Sequence, residues 1–238
     1  DGLTQTVVYT VPSGNGINTI RIDNINNKIY WDETFPQSGN GKIMRSDLSS
    51  FNPQLVLNIS HGSISKIEIA RDTNLIFWVG SSTIYSNANG YETVVYSGSN
   101  IDEFCIDNTN EYIYFTGYQQ SLSRVNFDGS NFINIGGMSS NVDYMYMDEL
   151  NQKIYYRYNY GSTNTIRSYN ISGGADNVVW DCSNGGGCNG GPIGMTMYNF
   201  NSGNPTIIWT EHYQQSVYKI NADGSGYQIL FFDNYPKG

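Results

Sequence analysis

Two aspartates stand at equivalent places in the sequence and could ligate a cation. Asp102 and Asp143 each begin a short apolar stretch, and Asn18 and Ser65 begin two more stretches of the same kind. Ca²⁺ takes carboxylate, amide and hydroxyl oxygens as ligands, so a weak calcium site is one interpretation. The other interpretation is that these polar side chains only cap strand ends at a solvent-filled central opening. No further cofactor is expected.

Groups for acid–base or nucleophilic catalysis are scarce. The 238 residues include two histidines, His61 and His212, and no nucleophile–base pair is evident. We therefore expect no enzymatic activity. A calcium-dependent hydrolase acting through an acidic tunnel mouth is the less favoured alternative.

The three cysteines bear on the cellular compartment. Cys182 and Cys188 bracket a flexible Ser-Asn-Gly-Gly-Gly segment, which predicts a disulfide and an oxidising environment. A two-thiolate metal site is the alternative, and it needs two further ligands. Cys105 lies in an apolar stretch, where a small buried hydrophobic residue is expected.

Two triplets, beginning at Asn58 and Asn170, match the N-glycan acceptor pattern. Asn58 is the favoured acceptor, because Asn170 precedes a predicted turn and has a structural task there. Together with the disulfide, these sites predict an extracellular glycoprotein, either secreted or the ectodomain of a larger protein.

Composition favours strands and turns. Charged residues make up 14% of the chain, while Tyr (20) and Gly (26) are abundant. A net charge of -9 argues against nucleic acid and anionic membrane surfaces as partners. No apolar run approaches the roughly 20 residues that a membrane-spanning helix needs.

A repeat runs through the whole chain. Five apolar–aromatic pairs end in the bulky residues Trp31, Trp78, Phe115, Tyr156 and Trp209. An aspartate stands eight residues earlier in three copies, at Asp23, Asp107 and Asp148. A short polar residue precedes each later turn, at Asp47, Asn87, Asn126, Asn170 and Asn221. Such side chains bond neighbouring backbone groups and prepare tight turns.

Each copy predicts four short antiparallel strands. The first strand alternates apolar residues at period two, as in Ile20 and Ile22. A repeated four-stranded unit that is apolar on both faces predicts an all-β protein, a β-propeller. The predicted blades are 17–60, 65–98, 101–137, 141–182 and 192–234, and residues 4–12 predict one extra N-terminal outer strand.

The residues Ile29-Tyr30-Trp31-Asp32 and Ile113-Tyr114-Phe115-Thr116 resemble the YWTD motif. With the earlier aspartate and the later Asn-x-Asp-Gly turn, nearly the whole chain is similar to the low-density lipoprotein receptor class B repeat. The resemblance implies a six-bladed extracellular propeller that recognises proteins and does no catalysis. The second copy departs from the motif with Val79-Gly80, and the fourth departs with Arg157.

The predicted elements are five blades plus one strand, which is not a complete six-bladed ring. This difference has three explanations. The chain is truncated and belongs to a six-bladed ring, or it forms five blades with the extra strand at an edge. In the third, strand 4–12 pairs with a neighbouring molecule, since an unpaired edge is a template for intermolecular pairing.

In the resembled fold, the loops that join the second and third strands lie on the usual binding surface, so the resemblance implies an aromatic loop face here. Its candidate binding residues are Phe35, Tyr118, Tyr158, Tyr160, His212 and Tyr213. Exposed rings anchor protein interfaces and also stack on sugars, although a tyrosine-rich chain places tyrosines everywhere. The favoured function is a module that binds a protein or glycan through this face. The alternative is a structural glycoprotein subunit that assembles with copies of itself through its N-terminal edge strand.

Overall fold

A computed structural model describes residues 6–12, 14–35, 39–61, 63–117, 121–138, 141–160, 163–184, 192–199, 203–211 and 215–232. The protein is all-β, with five four-stranded antiparallel blades in a propeller arrangement. This confirms the predicted fold class. The other regular elements in the described ranges are two single-turn 3-10 segments, Ala88–Gly90 and Cys182–Asn184. Neither of these short helices is long enough to span a membrane.

The chain divides into two compact units, 1–101 and 102–238. In the first unit, blade 1 consists of β1 (Ile20–Asp23), β2 (Lys28–Phe35), β3 (Asn40–Asp47) and β4 (Gln54–Ile59). Blade 2 consists of β5 (Lys66–Ile69), β6 (Ile76–Gly80), β7 (Thr83–Ser86) and β8 (Thr93–Ser97).

The strands of the second unit begin at the unit boundary. Blade 3 consists of β9 (Ile101–Asp107), β10 (Tyr112–Gly117), β11 (Ser123–Asn126) and β12 (Ile133–Asn134). Blade 4 consists of β13 (Val142–Asp148), β14 (Lys153–Tyr160), β15 (Thr163–Asn170) and β16 (Asp176–Asp181). Blade 5 consists of β17 (Pro192–Tyr198), β18 (Thr206–Glu211), β19 (Ser216–Asn221) and β20 (Gln228–Phe232).

Each blade has two faces, and successive blades bury them against one another within each unit. Met195 and Met197 of blade 5 share one buried cluster with Tyr155, Ile166 and Trp180 of blade 4. We call the side of a blade that contacts the preceding blade its leading face, and the opposite side its trailing face. Blades 3 and 4 repeat this contact through Tyr114, Leu122, Met145 and Met147. Blades 1 and 2 repeat it through Tyr30, Ile43, Ile67 and Trp78.

Three blades close their first hairpin with the same carboxylate. Asp107 accepts hydrogen bonds of 3.0 and 3.1 Å from the backbone N–H groups of Thr109 and Asn110, and one of 2.8 Å from the Asn110 side-chain amide. Asp23 and Asp148 accept corresponding bonds from the residue three positions ahead. The recurring aspartate is therefore a buried turn residue.

The later Asn-x-Asp-Gly turn is also a repeated hydrogen-bonded unit. The Asn126 side-chain amide donates a bond of 3.0 Å to the Ser130 hydroxyl, and Asn221 donates one of 3.1 Å to Ser225. Gly129, which lies between Asn126 and Ser130, adopts φ = 82°, a left-handed conformation that glycine reaches without strain.

The N-terminal segment differs from the prediction. Of the proposed strand 4–12, the described part, residues 6–12, is not a strand, and the first ladder contact is a single bridge between Gly16 and Thr34. Residues 1–5 lie outside the described part of the chain.

A side chain, not a backbone ladder, attaches this segment to blade 1. The Tyr9 ring lies 5.4 Å from the Trp31 ring and 6.0 Å from the Phe51 ring. Its hydroxyl donates a hydrogen bond of 2.6 Å to Glu33. An outer strand was predicted here, but the described contacts of this segment with blade 1 are made by the Tyr9 side chain.

Candidate binding surface

The predicted aromatic loop face is described in part. Phe35 ends β2 and Tyr158 lies near the end of β14, and both rings are half-buried. Tyr118, His212, Tyr213 and the side chain of Tyr160 lie outside the described residues.

A charged pair supports Phe35 from below. The Lys42 ammonium lies 5.7 Å from the centre of the Phe35 ring, within the range of a cation–π contact. The same ammonium lies 3.0 Å from a carboxylate oxygen of Glu33, whose side chain is fully buried. The long lysine side chain therefore connects a surface ring to a buried carboxylate.

Glu33 is held in its ionised form by several donors. Burial alone would raise the pKa of its carboxyl, but hydrogen bonds from Tyr9, Lys42 and the Trp31 indole outweigh burial and lower that pKa. The effect on Tyr9 is reciprocal, since the bond to Glu33 raises the pKa of its phenol to about 12. Phe35 thus stands on a rigid buried network.

Tyr158 rests on a comparable support in blade 4. The Arg167 guanidinium lies 5.7 Å from the centre of its ring. Arg167 in turn donates a hydrogen bond of 3.1 Å to the Asp176 carboxylate. Both described rings of the predicted face therefore have a cation at 5.7 Å that is itself fixed by a carboxylate.

Asp143, one of the two proposed calcium ligands, is occupied by a cation of the chain. Arg157 donates to Asp143 at 3.3 Å and to the Asn164 amide oxygen at 3.0 Å. Burial lowers the pKa of Arg157, while Asp143 acts in the opposite direction. The side chain of Asp102, the second proposed ligand, lies outside the described residues.

Asn18, which was grouped with those aspartates as a possible calcium ligand, instead bonds a carboxylate of blade 1. Its side-chain amide donates a bond of 2.7 Å to Asp32, and its backbone N–H donates one of 2.9 Å to the same carboxylate. Burial nevertheless raises the pKa of Asp32. Within the described ranges, no three His, Cys, Asp or Glu side chains converge as metal ligands.

His61 lies in a buried cluster beside two oxygen-bearing side chains. Its Nε2 accepts a hydrogen bond of 3.1 Å from the Trp78 indole, and its Nδ1 lies 3.4 Å from Glu92. The Ser60 hydroxyl donates to Glu92, so the carboxylate holds both neighbours. Because Trp78 occupies the Nε2 lone pair, this imidazole is not arranged as a general base for Ser60.

A small polar cleft of about 190 Å³ lies at the turn ends of blades 4 and 5. It is lined by Asn151, Lys153, Tyr155, Gly203, Asn204, Ala222 and Asp223. Pockets for drug-sized ligands are typically about 300–1,000 Å³. The cleft is therefore better explained as the space between turns that are hydrogen-bonded to one another. Asn151 donates to Gly203, and Asn204 donates to Asp223.

The remaining predicted residues have the following surroundings. Asn58 is exposed on β4, whereas the Asn170 side chain accepts hydrogen bonds from Ser172 and Gly173 within its turn. Cys182 is buried, and its proposed partner Cys188 lies outside the described residues. Cys105 is buried, as expected.

Sequence reasoning missed the charged residues that support the two rings. Glu33, Lys42 and Arg167 look like ordinary surface residues in the sequence. One signal was present, because Glu33 and Lys42 fall opposite each other once β2 and β3 are set in register.

The fold is similar to that of several solved structures. A chain of the nidogen/laminin complex aligns with a TM-score of 0.71 and 16% identity over 90% of this chain and 79% of that chain. A putative TolB from Agrobacterium tumefaciens aligns with a TM-score of 0.67 and 13% identity over 95% and 83% of the two chains. A GH74 xyloglucanase from Xanthomonas campestris aligns with a TM-score of 0.63 and 11% identity over 91% and 38%.

No protein-family model matches the chain, and no curated protein matches it in sequence. Identities this low speak for the fold alone. The fold and the described surface thus define a β-propeller, and the resemblance to YWTD repeats is supported at the level of fold.

Proposed function

We propose that this chain is a non-enzymatic, extracellular propeller module that binds a protein ligand through its aromatic loop face. The observation that carries the proposal is the support of Phe35 and Tyr158. Each ring is half-buried above a cation that a carboxylate fixes. A ring held in this way loses little conformational entropy on binding, which is the property of an interface anchor.

The similarity in fold to a chain of the nidogen/laminin complex supports the choice of a protein ligand. That structure is a complex between proteins, and its chain shares most of its length with this one. Descent from YWTD-type propellers belongs to the same proposal. The paired sequence signals, the Asp turn and the Asn-x-Asp-Gly turn, both act as hydrogen-bonded turns here.

The test is binding of the full chain to an array of extracellular proteins and to a glycan array. We expect a protein ligand whose binding falls at least tenfold in Phe35→Ala and Tyr158→Ala. Tyr91→Ala is the matched control, because Tyr91 is exposed on blade 2 away from this face. Binding that survives both loop-face changes would contradict the proposal, and capture by glycans alone would replace protein with sugar as the ligand.

The absence of enzymatic activity needs its own experiment, because one solved structure with this fold is a xyloglucanase. Incubation of the chain with xyloglucan is expected to release no reducing ends. Release that Asp143→Asn abolishes would instead support a hydrolase.

An extracellular setting is part of the proposal. Asn58 is exposed and available to a glycan, and Cys182 is six positions before Cys188 in the sequence. Glycosidase treatment of native material is expected to lower its mass, and Asn58→Gln made in the same host should abolish that change. Alkylation of the unfolded, non-reduced chain is expected to label one of its three cysteines, Cys105.

A further inference from the structure

The cleft at the turn ends of blades 4 and 5 contains a lysine that has no carboxylate partner in the described part of the chain. Lys153 is the first residue of β14 and lines the cleft. It is half-buried and forms no ion pair with any described residue. Its ammonium group can therefore donate hydrogen bonds to an acceptor that enters the cleft.

Blade 1 neutralises a lysine at the same ladder position. Lys28 begins β2 as Lys153 begins β14, and each stands opposite the last residue of the next strand. In blade 1 that residue is Asp47, which forms an ion pair with Lys28. In blade 4 it is Asn170, whose side-chain oxygen accepts bonds from Ser172 in the following turn. Because an amide replaces the carboxylate, the charge of Lys153 is not neutralised in the same way.

A buried tyrosine also lines the cleft. Tyr155 is 2% exposed, and its ring packs on the trailing face of blade 4 in the cluster shared with blade 5. Its hydroxyl has no hydrogen-bond partner among the residues that the structure describes. Burial, with Asp148 and Asp223 acting in the same direction, raises the pKa of this phenol to about 12, so it stays a donor at neutral pH. A buried hydroxyl is costly without a partner, which favours a bound acceptor.

The wall that blade 5 contributes carries a carboxylate. Asp223 accepts hydrogen bonds of 2.9 Å from the Ser225 backbone N–H and 2.8 Å from the Asn204 side-chain amide. Hydrogen bonds from Ser225, followed by the one from Asn204, lower the pKa of Asp223, so this carboxyl is ionised at neutral pH. Lys153 and Asp223 line the same cleft without forming an ion pair with each other. The cleft thus presents a cation and a hydroxyl from blade 4 and an anion from blade 5.

Hydrogen bonds between the turns fix the spacing of these walls. The Asn151 side chain donates a bond of 3.1 Å to the Gly203 carbonyl and one of 2.8 Å to Asp148. The Asp223 backbone N–H donates one of 3.1 Å to Asn204. Binding between preorganised walls costs little conformational entropy. The volume of about 190 Å³ is below that of pockets for drug-sized ligands and suits a small molecule.

We propose that this cleft binds a small zwitterion, a free α-amino acid. The carboxylate of the ligand accepts bonds from the Lys153 ammonium and the Tyr155 hydroxyl, and its ammonium donates to Asp223. A zwitterion satisfies both walls and adds no net charge to a chain that carries -9. The site involves the start of β14, whereas Tyr158 of the aromatic loop face lies near the end of that strand. This binding therefore does not rest on the function proposed above.

The experiment is an NMR titration of the full chain with glycine, L-alanine and L-serine. We expect saturable shifts of the amide signals around Lys153 and Asp223. Acetate and methylamine each carry one of the two charged groups of the ligand. Both should bind at least about tenfold more weakly than glycine, because each loses a charge-assisted contact.

Variants test each contact separately. Lys153→Gln and Asp223→Asn should each weaken glycine binding by about tenfold, the effect of one charge-assisted contact. Tyr155→Phe keeps the ring and should weaken binding several-fold. Asn170→Asp gives blade 4 the pairing of blade 1 and should weaken binding as much as Lys153→Gln does. Lys28→Gln is the matched control at the same ladder position of blade 1, and it should leave glycine binding unchanged.

Several results would overturn the proposal. The absence of saturable shifts with all three amino acids would remove the site. Acetate that binds as tightly as glycine, or glucose that binds in preference to the amino acids, would exclude a zwitterion as the ligand. Circular dichroism melting checks that the variants are folded, and unchanged glycine binding by folded Asn170→Asp would show that the charge of Lys153 does not determine binding.

Discussion

The phenol of Tyr9 donates a hydrogen bond of 2.6 Å to the carboxylate of Glu33, a fully buried residue of the second strand of blade 1. This bond joins the N-terminal segment to a carboxylate that has only two other described donors, Lys42 and the Trp31 indole. The first two predictions below concern this contact.

Tyr9→Phe removes the hydroxyl and keeps the ring. We expect a loss of about 1–2 kcal/mol in the free energy of unfolding, at the low end of the range of about 1.5–3 kcal/mol for a hydrogen bond to a charged group, because the Tyr9 side chain is only half-buried. Urea denaturation at neutral pH measures it. Tyr91→Phe is the control for an exposed tyrosine, and a loss as large in that variant would show that the Glu33 bond is not responsible.

The same contact predicts a dependence on alkaline pH. The bond to Glu33 and burial raise the pKa of Tyr9 to about 12, above the unfolded value of about 10. A raised pKa stabilises the folded chain fully below pH 10, and this contribution is lost as the pH rises from about 10 to about 12. The difference in unfolding free energy between the unchanged chain and Tyr9→Phe should therefore shrink across that window. A constant difference would count against the bond.

His61 predicts a dependence on mildly acidic pH. Burial lowers the pKa of this imidazole, with Glu92 acting in the opposite direction. Since the folded pKa lies below the unfolded value of about 6.5, the contribution is present above that pH and is lost as the pH falls through the folded pKa. We expect stability to decline below pH 6.5 and His61→Gln to remove that slope. His212→Gln should keep it, and an NMR titration of His61 should give a midpoint below 6.5.

Gly80 leaves no room for a side chain. A Cβ there would lie 2.1 Å from Cδ2 of His61 and 2.2 Å from its Nε2. That imidazole is stacked on Tyr85 at 4.5 Å and bonded to Trp78, so it cannot move freely. Gly80→Ala should cost about 2–3 kcal/mol, the upper part of the range of about 1–3 kcal/mol for overpacking a core.

A matched control and a double variant sharpen this measurement. Gly16→Ala places its Cβ at an ordinary 3.5 Å from Thr34 and should be near neutral. The cost of Gly80→Ala should shrink when His61→Ala is made in the same chain. Additive losses in the double variant would mean that the His61 ring is not the obstacle.

Asp107→Ala tests the aspartate that closes the first hairpin of blade 3. It removes the acceptor of two backbone N–H groups and of the Asn110 amide, and it should cost about 1–3 kcal/mol because these partly buried donors lose a charged acceptor. Asp72→Ala, at an exposed turn position of blade 2, should be within about 0.5 kcal/mol of the unchanged chain. A neutral Asp107→Ala would show that the turn forms without the carboxylate.

The hydrogen-bonded turns were predictable from the sequence. Asp107 and Asn126 act through bonds that reach only a few residues along the chain, so their spacing already specifies the turns. Period-two alternation likewise placed Ile20 on one face of its strand. It could not tell whether another blade covers that face, because coverage depends on residues far away in the chain.

The candidate site was predictable only in outline. Phe35 and Tyr158 were identified as ring-bearing residues of loop ends, while the charges that hold them were not. A buried Glu33 is unfavourable alone and becomes acceptable only when Lys42, Tyr9 and the Trp31 indole meet it in space. The prediction of an extra N-terminal strand was wrong over residues 6–12. There the Tyr9 side chain bonds Glu33, and the backbone joins no ladder.

The exposed aliphatic residues on the outermost strands affect the solubility of the protein. With Leu55, Val94, Val178 and Ile229 in contact with water, solubility depends on mutual repulsion between molecules that carry a net charge of -9. That repulsion vanishes at the isoelectric pH of about 4.5. Acidification towards this value brings the apolar strand edges of separate molecules together, so the chain is best concentrated and stored well above it.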